Sequence, residues 1–259
     1  MTAKEKTTVL NRQFELAGEQ VFYFARFFRN IFRAGFEWNE FFRQCFIVGN
    51  KSIGLVTITG FILGLVMTIQ SEPTLRDFGA ESFVPGMVAI SIIREIGPVI
   101  IALICAGKIA SSMGAELASM KVSEQIDAME VSGANPIQYL VVTRILACII
   151  MIPLLTLLAD ALALLGGFVA SNINNDMSLR LFFTKAFAAL EFSDLVPAVL
   201  KTLFFGFAIG FVGCFKGYNA GKGTESVGIA ANSAVVSASL WVIVLDAIAV
   251  QLTSVIAYN

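Results

Sequence analysis

Five long apolar stretches dictate what this chain can become: Ile53–Ile69, about Phe83–Gly107, Ile145 to about Ala170, Leu195–Phe215 and Ala234–Ala257. A helix needs about 20 apolar residues to cross the hydrocarbon core of a bilayer. No water is available there, so the backbone must bond to itself, and helices are the spanning form for runs of this length. The whole-chain figures agree, with 57% hydrophobic and 14% charged residues and a mean hydropathy of +0.79. Those values exclude an ordinary soluble domain. The expected fold class is an all-α polytopic membrane protein with five transmembrane helices.

The polar remainder excludes several chemistries. There is no His in the chain, so imidazole metal sites and Ser–His or Cys–His catalysis are ruled out, and no metal site is expected. The four cysteines, Cys45, Cys105, Cys148 and Cys214, show no CxxC spacing and read as small core residues. No basic tail suggests nucleic acid. The glycines of Lys216–Gly228 lack a GxxxxGK[ST] pattern, and no such motif occurs elsewhere. Any ATP-driven work therefore needs an ATPase on another chain. The N-terminus is polar and then amphipathic, without the look of a cleavable signal, so the first span is expected to serve as the targeting signal.

Residues 1–50 read as a loose tail followed by an interfacial helix, and 51–259 as the five-span unit. From Arg12 to Glu40 the charges fall at helical steps, with Arg26, Arg29 and Arg33 on one stripe and Phe14, Phe22, Phe27, Phe28 and Phe32 among the residues on the other faces. Such a helix suits the plane of a bilayer surface. A break near Gly35, or at Gly49–Asn50, would turn the chain into the membrane. Gly54, Gly60 and Gly64 offer a small-residue face on the first span, residues 72–82 read as a loop, and Pro153 as a kink in the third span. Lys201 reads as a snorkelling lysine near the end of the fourth. Apart from Arg94, only Arg76, Arg180, Lys185 and Lys201 fall on one side of the bilayer, while the rest of the 18 Lys and Arg fall on the other. That asymmetry predicts a cytoplasmic N-terminus and a cytoplasmic 108–144 segment.

Two features could carry function. A charge at bilayer depth costs about 2.5–3.5 kcal/mol on insertion scales, so Arg94–Glu95, between Pro85 and Pro98, needs a reason. Either the pair lines a polar cavity, with Arg94 suited to a phosphate or carboxylate, or it pairs with Asp160 or Asp246 of another span. Taken singly, Asp160 and Asp246 read as structural. The second feature is the polar stretch Met120–Tyr139. Ser123 reads as the start of a short helix, Gly133 and Asn135–Pro136 as its stop, and Ile126, Met129 and Val131 as its apolar ridge. Its acids, Glu124, Asp127 and Glu130, disfavour an anionic lipid surface. Docking into a soluble partner is favoured over a passive loop.

The segments REIGPVIIALICAGKIASSMGAELASM and KVSEQIDAMEVSGANPIQYLVVTRILA, with GYNAGKGTESVGIAANSAVV further on, resemble the MlaE family of permeases. Lys108 stands where that family usually has Arg, and Ser123 where it usually has Thr. The family comprises membrane subunits of Mce-linked phospholipid ABC transporters. The resemblance implies a permease that moves phospholipid between the bacterial inner membrane and a periplasmic Mce-domain protein. It implies a second copy of the chain, a cytoplasmic ABC ATPase that holds the ATP, and no cofactor in this chain. By the same resemblance the helix at about 120–135 is the cytoplasmic coupling helix, with Glu124, Gln125, Ile126, Asp127, Ala128, Met129, Glu130 and Gly133 meeting the ATPase. Arg94 and Glu95 would lie beside the lipid cavity, with Met67 and Gln70 near its wall. The rivals are an intramembrane enzyme using Glu95, Asp160 and Asp246, and a scaffold that transports nothing.

Overall fold

The computed structural model describes residues 18–31, 35–174 and 177–257. Every regular element among them is helical. Helix α1 covers residues 18–31, and α2 runs from Trp38 to Asp77. A 3₁₀ turn at Glu81–Phe83 leads into α3 (Val84–Ser91), a π segment (Ile92–Ile96), α4 (Gly97–Cys105), a second π segment (Ala106–Ala110) and α5 (Ser111–Val122). The short α6 (Gln125–Val131) follows, then a π segment at Ile137–Val142 and α7 (Thr143–Asn174). Helices α8 (Leu179–Ala188), α9 (Phe192–Tyr218) and α10 (Glu225–Ala257) complete the chain. Among the described residues, five helical stretches are long and apolar enough to cross a bilayer: Trp38–Asp77, Glu81–Val122, Ile137–Ile173, Phe192–Tyr218 and Glu225–Val255.

The helices overrun the apolar stretches, because hydropathy marks the bilayer while backbone bonding sets the helix. The first span is a 40-residue helix, and the expected loop at 72–82 is helical as far as Asp77. Pro73 lies inside that helix. Arg76 secures the corner that follows, bonding Glu72 at 3.2 Å and Glu81 at 2.6 Å. The chain turns at Gly35, whose φ of +90° favours glycine. Gly49–Asn50 lies within α2 instead, without a break. Arg12, Phe14, Phe32 and Arg33 lie outside the described residues. Of the expected charge stripe, Arg26 and Arg29 are exposed, but Glu40 is buried. Glu40 accepts hydrogen bonds from Gln44 at 2.7 Å and Arg43 at 3.1 Å. Tyr23 and Phe27 turn the other face of α1 inward, where Tyr23 meets Phe211 and Phe215 of α9 edge-on.

Without a strong hydrophobic drive between helices in lipid, close backbone approach holds the spans together. Gly60 and Gly64 of α2 face Ala159 and Ala163 of α7. A Cβ on Gly60 would stand 2.5 Å from the Ala159 carbonyl oxygen, and one on Gly64 would strike the Ala163 backbone. Gly54 faces open space, so the small-residue contact begins at Gly60, nearly two turns later than expected. Gly206, Gly210, Gly213 and Gly217 make α9 the central post, against α7 at one end and Ala110 and Gly114 at the other. Cys105, Cys148 and Cys214 are buried free thiols within this core. Helix α7 passes through Pro153, and the short α8 follows the third span.

Candidate functional site

The π segment at Ile92–Ile96 positions the intramembrane charges. Pro98 has no N–H to give the carbonyl one turn back, and the Gly97 N–H bonds Ile92 instead. This wide turn presents Arg94 and Glu95 to a cavity of about 550 Å³, closed by the start of α9 and by Ala249, Val250 and Thr253 of α10. Wide turns of this kind recur at functional sites.

Lys201 organises the cavity floor. Its ammonium donates to Glu95 Oε2 at 2.7 Å and to Asp246 Oδ1 at 3.1 Å. At 6% exposure its side chain does not snorkel. Two carboxylates at bilayer depth draw the cation inward more strongly than the interface draws it out. Three spans are thus joined at one atom. Arg94 is half exposed, and its guanidinium stands 3.7 Å from Asp194 Oδ1. Asp194 itself belongs to the capping box that starts α9 with Glu191. The lining therefore carries Arg94 and Lys201 against Glu95, Glu191 and Asp194. A lining of both signs can meet both halves of a zwitterion, and Arg94 is the cation with donors to spare.

Both readings of Arg94–Glu95 hold in part. The residues line a cavity, and Glu95 is also paired across spans, with Lys201, while Arg94 meets Asp194 rather than Asp160 or Asp246. Asp246 is a partner of that lysine, as its structural reading requires. Asp160 is buried, and its Oδ1 has no partner among the described residues. Met67 packs on the cluster of Val84, Val88, Ile92 and Ala163, while Gln70 is exposed on α2. Neither lines the cavity. Sequence reasoning missed Lys201, Glu191 and Asp194. The available signal was an imbalance: Glu95 and Asp246 within the spans needed a cation, and Lys201 lay in the fourth.

The second feature is α6. Ser123 does not cap it. The Ser123 hydroxyl donates back to Ser119 at 2.7 Å and closes α5. Glu124 sits at the start of α6 with φ +58°. This left-handed residue makes the corner between the two helices. Lys121 then reaches Asp127 at 2.6 Å. Ile126 is 0% exposed and anchors α6 to the core, with Met129 partly buried beside it. Val131 leaves the expected ridge: it is 90% exposed. Gln125, Asp127, Ala128 and Glu130 are exposed as well, and Glu130 accepts from the Tyr218 hydroxyl at 3.2 Å. Gly133, at φ +80°, ends the segment. Beyond it, Asn135 donates to Asn30 at 2.6 Å and Gln138 to the Gly35 carbonyl at 3.1 Å, tying the segment to the N-terminal elbow.

Five spans, a charged cavity among them and a short exposed helix between the second and third define a multi-pass membrane protein with the parts of a permease. The chain matches the permease MlaE family over residues 41–252. It is 36% identical to the "probable ABC transporter permease protein" of Rickettsia typhi, over 81% of each chain. A Synechocystis protein with the same printed name is 34% identical, over 76% of this chain and 75% of its own. A chloroplastic Arabidopsis thaliana protein, trigalactosyldiacylglycerol 1, is 31% identical over 83% of this chain and 62% of its own. The chain belongs to the MlaE permease family. It is an ABC transporter permease, a membrane subunit of a transporter and not an enzyme, and such a permease implies an ATPase partner.

Proposed function

We propose that this permease moves phospholipid between the bacterial inner membrane and a periplasmic Mce-domain protein, working as a pair of identical copies with a cytoplasmic ATPase that binds the ATP. The observation that carries this reading is the cavity: about 550 Å³, with an apolar wall of Val196, Pro197, Ala198, Ala249 and Val250 facing the charges of Arg94, Glu95, Glu191, Asp194 and Lys201. Its size is that of a ligand site, and polar anchors among aliphatic walls suit an amphiphile. The Arabidopsis relative carries a galactosyl diacylglycerol in its name, which supports a diacyl lipid as cargo but not its head group. Arg94 would hold the head group, Glu95 would gate with Lys201, and Met67 and Gln70 would take part where a second copy extends the wall. Helix α10 packs least of the five spans and offers an apolar face for that copy.

The N-terminus and α6 would lie in the cytoplasm, a reading that the Lys/Arg asymmetry supports. The surface of Glu124, Gln125, Asp127, Ala128, Glu130 and Gly133, carried on the Ile126 and Met129 anchors, would seat in the ATPase and pass its closure to the spans. The test is ATP-driven transfer of labelled phospholipid from proteoliposomes to the periplasmic carrier. Arg94→Ala and Glu95→Ala should each reduce transfer strongly while the ATPase stays bound. Undiminished transfer in both variants would remove the assignment.

A further inference from the structure

We propose that Lys51, Lys108 and Ser52 bind the phosphate of an anionic phospholipid at the bilayer boundary nearest α6, away from the charged cavity. Lys51 precedes the apolar run that begins at Ile53, and Lys108 follows the one that ends at Gly107. Both ammonium groups therefore fall at one edge of the hydrocarbon core, at head-group level. The Lys108 ammonium donates to the Lys51 carbonyl and draws the two helices together there. Lys108 itself sits in the second π segment, Ala106–Ala110, a wide turn of the same kind as the one that presents Arg94.

Ser52 supplies the second, independent observation. Its hydroxyl is buried, at 2% exposure for the residue, and has no partner among the described residues. Serines and threonines in helices usually bond back to a carbonyl one turn earlier, as Thr57 and Thr59 do in the same helix. Ser52 instead lines a cleft of about 40 Å³ shared with Lys51 and Lys108. That space holds about three water-sized oxygens, room for the two free oxygens of a phosphate diester and too little for a whole lipid. Glu116 is the one acid in the lining, and Arg144 bonds it at 2.8 Å. The cleft is thus left with two cations and an unpaired hydroxyl. Below it, α2 exposes Ile53, Leu55, Ile58 and Ile62, where acyl chains can lie. Basic pockets between spans recognise anionic head groups in this way.

The test uses the full chain in nanodiscs of phosphatidylcholine with graded phosphatidylglycerol, followed by mass spectrometry of the lipid retained on detergent extraction. In Lys51→Gln/Lys108→Gln, retained phosphatidylglycerol should fall about thirtyfold while phosphatidylcholine stays constant. Ser52→Ala should show a smaller loss. Lys51→Arg/Lys108→Arg should retain the lipid, and salt should release it from the wild type. Equal retention in the Gln variant, or equal loss of both lipids, overturns the site. Displacement by millimolar inorganic phosphate makes the free anion the ligand and overturns the lipid assignment, whereas indifference to phosphate supports it. The inference stands apart from the transport reading, since these residues do not line the charged cavity.

Discussion

The Lys201 ammonium lies 2.7 Å from Glu95 and 3.1 Å from Asp246, so one cation answers two carboxylates carried by two other spans. Removing it strands both acids. Lys201→Met should lower stability by about 3 kcal/mol, the low end for a buried pair because Glu95 faces the cavity. Replacing the whole set, Glu95→Gln with Lys201→Met and Asp246→Asn, should restore most of that loss, since no charge is left unpaired. Thermal melts in detergent read both. If the triple variant melts with the wild type yet fails in lipid transfer, the charges serve function. If it melts no higher than Lys201→Met, the reading of the triad as mutual compensation fails.

The contact between α2 and α7 makes a sharper steric prediction. A side chain on Gly64 meets the Ala163 backbone, which cannot swing aside. Gly64→Val should destabilise by about 3 kcal/mol, the upper range for overpacking. Gly54, on the same helix, has nothing within 4 Å. Gly54→Val should stay within about 0.5 kcal/mol of the wild type. Equal melting temperatures for the two variants would deny the close approach.

The spans were legible because each exceeds the length a bilayer demands, and that requirement is written locally in hydropathy. The helix ends were not, because Pro73 continues a helix whose corner Arg76 completes through Glu72 and Glu81. The small-residue face was visible in spacing, but whether it began at Gly54 or Gly60 depended on where Ala159 and Ala163 arrive from another span. Arg94 and Glu95 announced themselves by their cost in lipid. Lys201 did not, because a lysine near an end of a span reads equally well as snorkelling. Only the meeting of three spans decides that it points inward. Ser123 failed as a cap for a related reason: its hydroxyl had a closer carbonyl behind it, at Ser119, than any amide ahead.

Tyr23 carries a buried hydroxyl without a partner among the described residues. Burial pushes its phenol well above the ordinary value of 10.0. The ring is worth keeping, since it meets Phe211 at 5.5 Å and Phe215 at 5.3 Å. Tyr23→Phe keeps those contacts and removes the stranded group, so it should stabilise by about 1 kcal/mol. A pH effect accompanies this. The folded chain holds the phenol proton more tightly than the unfolded one, so wild-type stability is complete below the ordinary value and falls as pH rises past it. The Phe variant should lack that decline. A Phe variant that melts lower at neutral pH would mean that the hydroxyl has a partner after all.

Helix α6 sets a buried anchor beside an exposed face within seven residues. Ile126 is fully buried and Val131 almost fully exposed, so substitutions at the two should fail in different assays. Ile126→Ala should cost about 2–4 kcal/mol, as buried isoleucines do, and should weaken ATPase binding only by displacing α6. Val131→Glu should leave the melting temperature within about 1 °C, a surface change, yet lower affinity for the ATPase about tenfold or more if it sits in a desolvated pocket of the partner. Asp127→Lys breaks an exposed pair with Lys121 worth at most about 1 kcal/mol, so a large loss of binding there must come from the partner's surface. Co-purification of the ATPase with each variant, beside its melting curve, decides the matter. Full binding by both Val131→Glu and Asp127→Lys would mean that the exposed face of α6 is not where the ATPase sits.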